Sequence, residues 1–397
     1  MSQLDVAIVG AGAAGLGCAH ELIARGQRVL VLEALPRVGG RAWTVDLQGV
    51  PVDQGAQFVH AFEHGNPWAE IAWGKGAALR VTPQERRASS LDGGAIRRRY
   101  AAALERIARA PAGASIADAL APDDRLGRAY AGPWLMGFEP EALDAADLAQ
   151  SYGGEDGLLP DGYGTLVAAM AAGLPVRLGV PVVAIEERPD QILLTTPAGR
   201  IEAAQAVLTA STTALAHATI RFTPPLPAAI TAALDDLPLG NLVKVMLRLA
   251  DGALPHPTGC FLLPDEPTLA TPLLHLRPAG SPIVTAFIGG RAGDAVDALD
   301  ERDAIALATD QLVALCGSAA RATVTGGTVS RWRGTRSIAG SYTGARPGRL
   351  AARAVLREPW SARLHYAGEA TAPPGWQATV AGAWLAGRAV AQRIAAR

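Results

Sequence analysis

Leu4 to Val9 is an apolar run broken only by Asp5, and its length and composition predict a short buried strand. Ala13 to Arg25 follows with helical spacing and is ended by Gly26, and Arg28 to Glu33 predicts a second strand. Together they make a βαβ unit, the local signature of a parallel sheet covered by helices. Farther on, Val180 to Glu186 and Gln191 to Thr196 predict two strands, after which Pro197, Ala198 and Gly199 turn the chain into Ile201. Pro224, Pro225, Leu226 and Pro227 predict a linker, because successive prolines continue neither a helix nor a central strand. Beyond the linker, Asn241 to Leu249 alternates: Val243, Val245, Leu247 and Leu249 share an apolar face, while Leu242, Lys244, Met246 and Arg248 point the other way. The last element is a Gly/Ala-rich helix.

The loop of the βαβ unit carries Gly10, Gly12 and Gly15. Gly10 permits a tight turn, Gly12 lets the backbone approach a pyrophosphate, and Gly15 lets the helix pack closely on the sheet. The start of the helix, with Ala13 and Ala14, then faces the phosphates with its partial positive charge. Glu33, ending the second strand and followed by Ala34, is placed to accept hydrogen bonds from both hydroxyls of an adenosine ribose. A dinucleotide is the expected ligand, although the motif alone does not separate FAD from NAD. A second glycine turn, Gly39 and Gly40 with Arg37 and Arg41, can clamp the same pyrophosphate from the other side. At the far end, Ala367, Gly368, Glu369 and Thr371 precede the final helix. If both ends hold one dinucleotide, the termini share a domain and the middle of the chain is free to build a substrate pocket.

With 397 residues, 49% hydrophobic and 18% charged, the chain can bury a sizeable core and is long enough for roughly two to three domains. A formal net charge of -1 argues against nucleic acid or a membrane surface as the main partner. Cys18, Cys260 and Cys316 are too few and too scattered for a disulfide framework or a zinc site, which points to a reducing, cytoplasmic location. Met1 to Val9 does not read as a signal peptide, because Asp5 interrupts it and no basic segment precedes it. Pro175, Arg177 and several glycines break the longest candidate for a membrane span, and the chain stops at Arg397 soon after its last helix, so a soluble protein without an anchor is expected.

Charge type says more than charge balance. Of the 36 basic residues only Lys75 and Lys244 are lysines. The alternation puts Lys244 either on a solvated strand face or at a place that needs a compact ammonium rather than a guanidinium. From Ala129 to Val176 there is no basic residue, whereas Glu139, Glu141, Asp144, Asp147, Glu155, Asp156 and Asp161 are acidic. That stretch is either a funnel for cations or a solvated face neutralised by the arginines between Arg80 and Arg109. His60 and His64 could share a helix face, but no third ligand is evident and no metal is expected.

Pro36 to Thr44, followed by Asp53, Gly55, Ala56, Gln57, Phe58 and His60, resembles the N-terminal signature of the flavin amine oxidases: monoamine oxidases, polyamine oxidases, L-amino acid oxidases and histone lysine demethylases. His365 to Thr371, then Thr379 to Gly387, is similar to their C-terminal signature, and the likeness is thinnest between about Gly65 and Gln150. The resemblance implies a mixed α/β (α+β) fold with a Rossmann-like FAD-binding domain of the glutathione reductase/amine oxidase type. Residues 1–64, 152–217 and 335–397 would form that domain, and 65–151 and 218–334 a substrate-binding domain of mixed sheet and helices.

It also implies roles. Gly10, Gly12, Ala13, Ala14, Gly15, Glu33, Ala34, Gly39, Gly40, Arg41, Gly55, Ala56, Gln57 and Phe58 would border FAD, with the backbone of Val183 meeting the adenine and Ala206 to Ala210 returning as a sheet strand. Trp332 would lie beside the isoalloxazine, Gly368 and Glu369 near the ribityl or phosphates, and the helix opening at Thr379 and Val380 would face the flavin O2. Lys244, in a Leu239-Gly240-x-x-x-Lys context, would hold a water against flavin N5. Tyr342 would be one aromatic wall; Thr379 stands where monoamine oxidases have a second cage tyrosine, and Trp376 would substitute for it. Ser341 stands where monoamine oxidases bond FAD covalently through cysteine, so noncovalent FAD is expected. The implied activity is oxidation of a small-molecule amine with O2 as electron acceptor, in a monomer or homodimer. The rivals are a related amino acid oxidase or desaturase and a noncatalytic flavin-binding protein.

Overall fold

The computed structural model describes residues 4–81, 86–88, 93–151, 153–250, 254 and 256–396. Met1 to Gln3, the boundary placed at Tyr152 and the terminal Arg397 lie outside them. The apolar run at the start forms the strand Leu4–Val9, whose last four residues are buried. It pairs in parallel with Val29–Leu32 on one side and Gly199–Leu208 on the other. Around this centre lies an eight-stranded sheet in the order Arg221–Thr223, Ala184–Glu187, Ile192–Thr196, Gly199–Leu208, Leu4–Val9, Val29–Leu32, Val176–Arg177, with Leu364–Tyr366 also paired to Gly199–Leu208.

The helix Ala13–Ala24 stops one residue before the expected Arg25, which serves as its C-cap. It packs against the last helix, Val380–Ala395, so the two ends of the chain meet. Gly387 allows that contact, because a Cβ there would lie 2.0 Å from the Ala14 carbonyl oxygen. The predicted strand from Val180 begins only at Ala184, although Val183 already donates its N–H to Thr195. Pro227 closes the proline segment as the N-cap of the helix Ala228–Asp236.

A second sheet, of six strands, runs Val324–Val329, Leu242–Leu249, Ile283–Gly289, Leu273–Leu276, Phe261–Leu262, Arg86–Arg87. Val243, Val245 and Leu247 pack with Ala304, Ala308 and Leu312 of the helix Glu301–Cys316. The opposite face is not solvated either: Leu242, Phe287, Leu273 and Phe261 pack with Ile96 and Tyr100 of the helix Gly93–Ala108 and with Trp134. Burial on both faces rejects the solvated alternative for Lys244, which is 5% exposed.

Two strands cross the expected divisions of the chain. Arg221–Thr223 belongs to the first sheet although it follows residue 217, and Arg80–Val81 pairs with Gly157–Leu158. The helix Arg125–Ala129 widens into a π-helix at Tyr130–Trp134, where Pro133 cannot donate to the regular ladder. Among the described residues, no helix is long and apolar enough to cross a membrane.

Candidate active site

Both sheets and both chain ends contribute to one cavity of about 1250 Å³. Typical small-molecule pockets hold ~300–1,000 Å³, so this one has room for a large ligand and a small one together. Its first wall is backbone. The helix Ala13–Ala24 begins at Gly12 with no side-chain cap and no acidic residue in its first turn, and Gly12, Ala13 and Ala14 border the cavity. An uncapped helix start beside open space suits a phosphate group. Close packing makes this wall possible: a Cβ on Gly15 would sit 1.9 Å from the Gly10 carbonyl oxygen, and Gly40, at φ +58°, would bring one within 3.3 Å of the Gly12 Cα. A dinucleotide fits these residues.

Glu33 lies beyond the glycine loop, 6% exposed, and accepts from the Ala11 N–H at 2.7 Å and the Leu35 N–H at 2.8 Å. Burial raises its pKa despite those bonds. Val183 borders the cavity, but its N–H goes to Thr195 and its carbonyl accepts from Arg221, so any further backbone contact falls to the second lone pair of that carbonyl. Arg37 turns away from the expected clamp: it donates to the Gly40 carbonyl at 2.8 Å and lies 4.2 Å over the Trp43 ring.

Arg41 does border the cavity. Its Nη1 donates at 2.8 Å both to Glu369 and to the Ser341 carbonyl, joining residues 328 positions apart. Ser341 donates to the Gly240 carbonyl at 2.9 Å and accepts from the Leu242 N–H at 3.2 Å. The helix Val380–Ala395 also starts at the cavity, where Thr379 caps it through the Gly382 N–H at 2.9 Å and donates to the Trp376 carbonyl at 2.7 Å.

Lys244 reaches the cavity from the buried strand Leu242–Leu249. Its Nζ donates to the carbonyls of Asp53 at 3.1 Å and Gly55 at 2.6 Å and to Gln57 Oε1 at 2.9 Å. Three acceptors match the three protons of an ammonium. Burial pushes Lys244 down to about 8, and the Asp53 carboxylate opposes that shift. In the sequence Asp53 stands only as part of a signature. Here its carboxylate takes the Thr44 hydroxyl at 2.6 Å and the N–H groups of Tyr163 and Gly164 at 3.0 and 3.1 Å, and burial raises its pKa.

The second wall is side chain. Phe58, Tyr130, Trp134, Phe261, Phe287 and Tyr342 border the cavity, with Ala56 and Trp332. Tyr342 donates its hydroxyl to the Leu135 carbonyl, and Trp134 Nε1 donates to the Thr271 carbonyl at 2.6 Å, so the irregular turn around the π-helix is pinned from both sides. Trp332 Nε1 donates to the Gln54 carbonyl at 3.1 Å. Trp376 packs in the core with Ala372 and Ala381, while its neighbours Gly375 and Gln377 border the cavity. Tyr130 and Trp134 escaped sequence reasoning, which had no periodic signal to follow in an irregular segment.

The acidic stretch is not a funnel. Asp147 and Asp144 are each 1% exposed, the first paired with Arg353 and the second capping the helix Ala145–Ala149. Glu141 pairs with Arg128 and Glu139 with Arg291. Asp156 does border the cavity, bound to His60 at 2.9 Å, and it holds the His60 pKa up against burial. Residues 60–64 form turns, so His60 and His64 do not share a helix face.

A family model for flavin containing amine oxidoreductase matches residues 96–395, and one for an NAD(P)-binding Rossmann-like domain matches residues 8–72. The chain is similar to polyamine oxidase 4 of Oryza sativa subsp. japonica, 25% identical over 438 residues that cover 100% of this chain and 89% of that one. It is 27% identical over 284 residues to lysine-specific histone demethylase 1B of Mus musculus; the match takes in 62% of this chain and spans 34% of that protein's length. Among solved structures, putrescine oxidase bound to putrescine shares the fold, with a TM-score of 0.83 and 20% identity over 100% of this chain and 99% of that one.

Proposed function

The chain belongs to the family of flavin containing amine oxidoreductases and is a flavin-dependent oxidoreductase, and from that premise we propose that it is an FAD-dependent oxidase of small primary or secondary amines. Lys244 carries the proposal: one of two lysines in the chain, buried on a strand of the second sheet and bordering the cavity. FAD, when bound, would supply the redox chemistry: two-electron oxidation of a neutral amine to an imine that water hydrolyses to a carbonyl compound and the free amine, with O2 as electron acceptor giving hydrogen peroxide.

The chain's own residues bind, orient and exclude water. Gly10, Gly12, Ala13, Ala14, Gly15, Gly39 and Gly40 would hold the pyrophosphate, Glu33 and Ala34 the ribose, and the Val183 carbonyl the adenine. Gly55, Ala56, Phe58, Trp332, Gly368, Glu369 and Val380 would surround the rest of the FAD. The ammonium of Lys244, one of whose protons goes to Gln57, would set positive charge beside the flavin. The aromatic wall favours an apolar amine in its neutral form, with Tyr342 facing it. Ser341 lacks a thiol, so the flavin is held noncovalently. The termini and the segment near 152–217 form the FAD-binding part, the rest the substrate part, in a cytoplasmic monomer or homodimer.

One observation favours an amino acid as substrate: Arg86 borders the cavity, its guanidinium 4.8 Å over Tyr100 and 5.6 Å over Tyr130 and Phe261. A carboxylate could pair with it. Anaerobic mixing of the holoenzyme with arylalkylamines, polyamines, amino acids and alkene precursors decides between the readings. Bleaching by an amine is the expected result, whereas bleaching by an alkene precursor alone would overturn it. Acid precipitation should release the yellow colour into solution.

A further inference from the structure

Asp147, Arg353, Thr343, Glu369 and Arg41 come from distant parts of the chain and form one buried line of alternating charge. Arg353 donates from Nε and Nη2 to the two Asp147 oxygens, each at 2.7 Å, and from Nη1 to the Thr343 hydroxyl at 3.1 Å. That hydroxyl donates to Glu369 Oε2 at 2.5 Å, while Glu369 Oε1 accepts from the Thr343 N–H at 3.2 Å and from Arg41 at 2.8 Å. The side chains of Arg353, Asp147 and Glu369 are 7%, 1% and 6% exposed; Glu369 and Arg41 both border the cavity, Arg41 at 25%.

We propose that Asp147 and Arg353 are positioning residues for the cofactor, acting through the Thr343 hydroxyl to fix Glu369 and Arg41 at the cavity. The inference rests on the reading of Glu369 and Arg41 as cofactor-side residues. Burying an ion pair is a poor way to gain stability, because desolvation offsets most of the attraction. What this pair supplies is direction. A hydroxyl has a single proton; with Arg353 donating to its oxygen, Thr343 turns that proton to Glu369. The carboxylate is then held through both oxygens, and the Arg41 guanidinium inherits its orientation. Asp147 also accepts from the Ala345 N–H at 2.7 Å, and it sits on the helix Ala145–Ala149, whose Leu148 and Ala149 border the cavity. One pair therefore sets the segment carrying Ser341, Tyr342 and Thr343 against the wall beside it.

The test is reconstitution of apoprotein with FAD, read as Kd from quenching of flavin fluorescence. Glu369→Gln and Thr343→Val should each weaken FAD by about tenfold, and Thr343→Ser, which restores the hydroxyl, should bind like wild type. Arg353→Met added to Glu369→Gln should weaken binding no further than Glu369→Gln alone, since the first acts through the second. Additive loss in that pair, or a wild-type Kd for Thr343→Val beside a weakened Glu369→Gln, overturns the relay. A wild-type Kd for Glu369→Gln overturns the reading beneath it, and the relay with it. Should Arg353→Met not fold, the contrast of valine and serine at 343 decides.

Discussion

At the glycine wall of the cavity the surface is main chain, and its shape follows from what cannot be present. Gly15 and Gly10 touch where a Cβ would have no space. At the facing wall the surface is side chain: aromatic residues come from the π-helix, the strands of the second sheet and the segment around Tyr342, and Trp134 and Tyr342 are pinned by hydrogen bonds to the Thr271 and Leu135 carbonyls. The first kind of wall suits a ligand with a phosphate-rich middle and leaves no space for a side chain at Gly15. The second tolerates change residue by residue and is where selectivity for one substrate arises. Lys244 ties distant segments together, on a strand of the second sheet but bonded to Asp53, Gly55 and Gln57 of the segment that follows the glycine loops.

The harshest challenge to this contrast is Gly15→Val, whose Cβ meets backbone and has no flexible neighbour to displace. We expect at least a tenfold loss of flavin content, checked by the ratio of visible to ultraviolet absorbance; normal loading would show that the close approach is dispensable.

Lys244→Met comes next. Flavin should stay bound while turnover falls by about 10²-fold, the scale of removing one charge-stabilising donor. The same variant isolates a pH effect. The Lys244 pKa falls from 10.5 to about 8 on folding, so between those values the unfolded chain binds the extra proton and stability rises with pH. Wild type should therefore gain on Lys244→Met by about 3 kcal/mol as pH is raised through that window, measured by denaturant unfolding. A constant difference would place the ammonium in a wetter site than its burial indicates.

The gentlest test is Tyr342→Phe. It removes the bond to the Leu135 carbonyl, worth about 1 kcal/mol, and should raise KM a few-fold with flavin affinity unchanged. An altered flavin affinity would mean that the two walls are not separable.

The sequence exposed these regions unequally, for reasons that lie in the same contrast. The strand Leu4–Val9, the helix after it and the glycine loops were legible because their constraints act over neighbouring positions. Lys244 stood out through residue usage alone. Trp376 packs in the core, and a resemblance in sequence says nothing about which neighbour fills the space beside a side chain. The acidic stretch stayed open between two readings for a related reason: Asp147 finds its counter-charge at Arg353, 206 positions away. Tyr130, Trp134 and Arg86 lie where neither period nor motif signals an element, and there only packing assigns a side chain to the cavity.

By itself the sequence determined the βαβ unit, its glycine-dependent turns and a strand carrying a rare lysine, all of which follow from local sterics and the period of apolar residues. Tertiary structure alone decided that Lys244 is buried with three acceptors, that Glu369 meets Arg41 across almost the whole chain, and which aromatic residues form the wall. Burial and ion pairing depend on distance in space, which sequence separation does not encode.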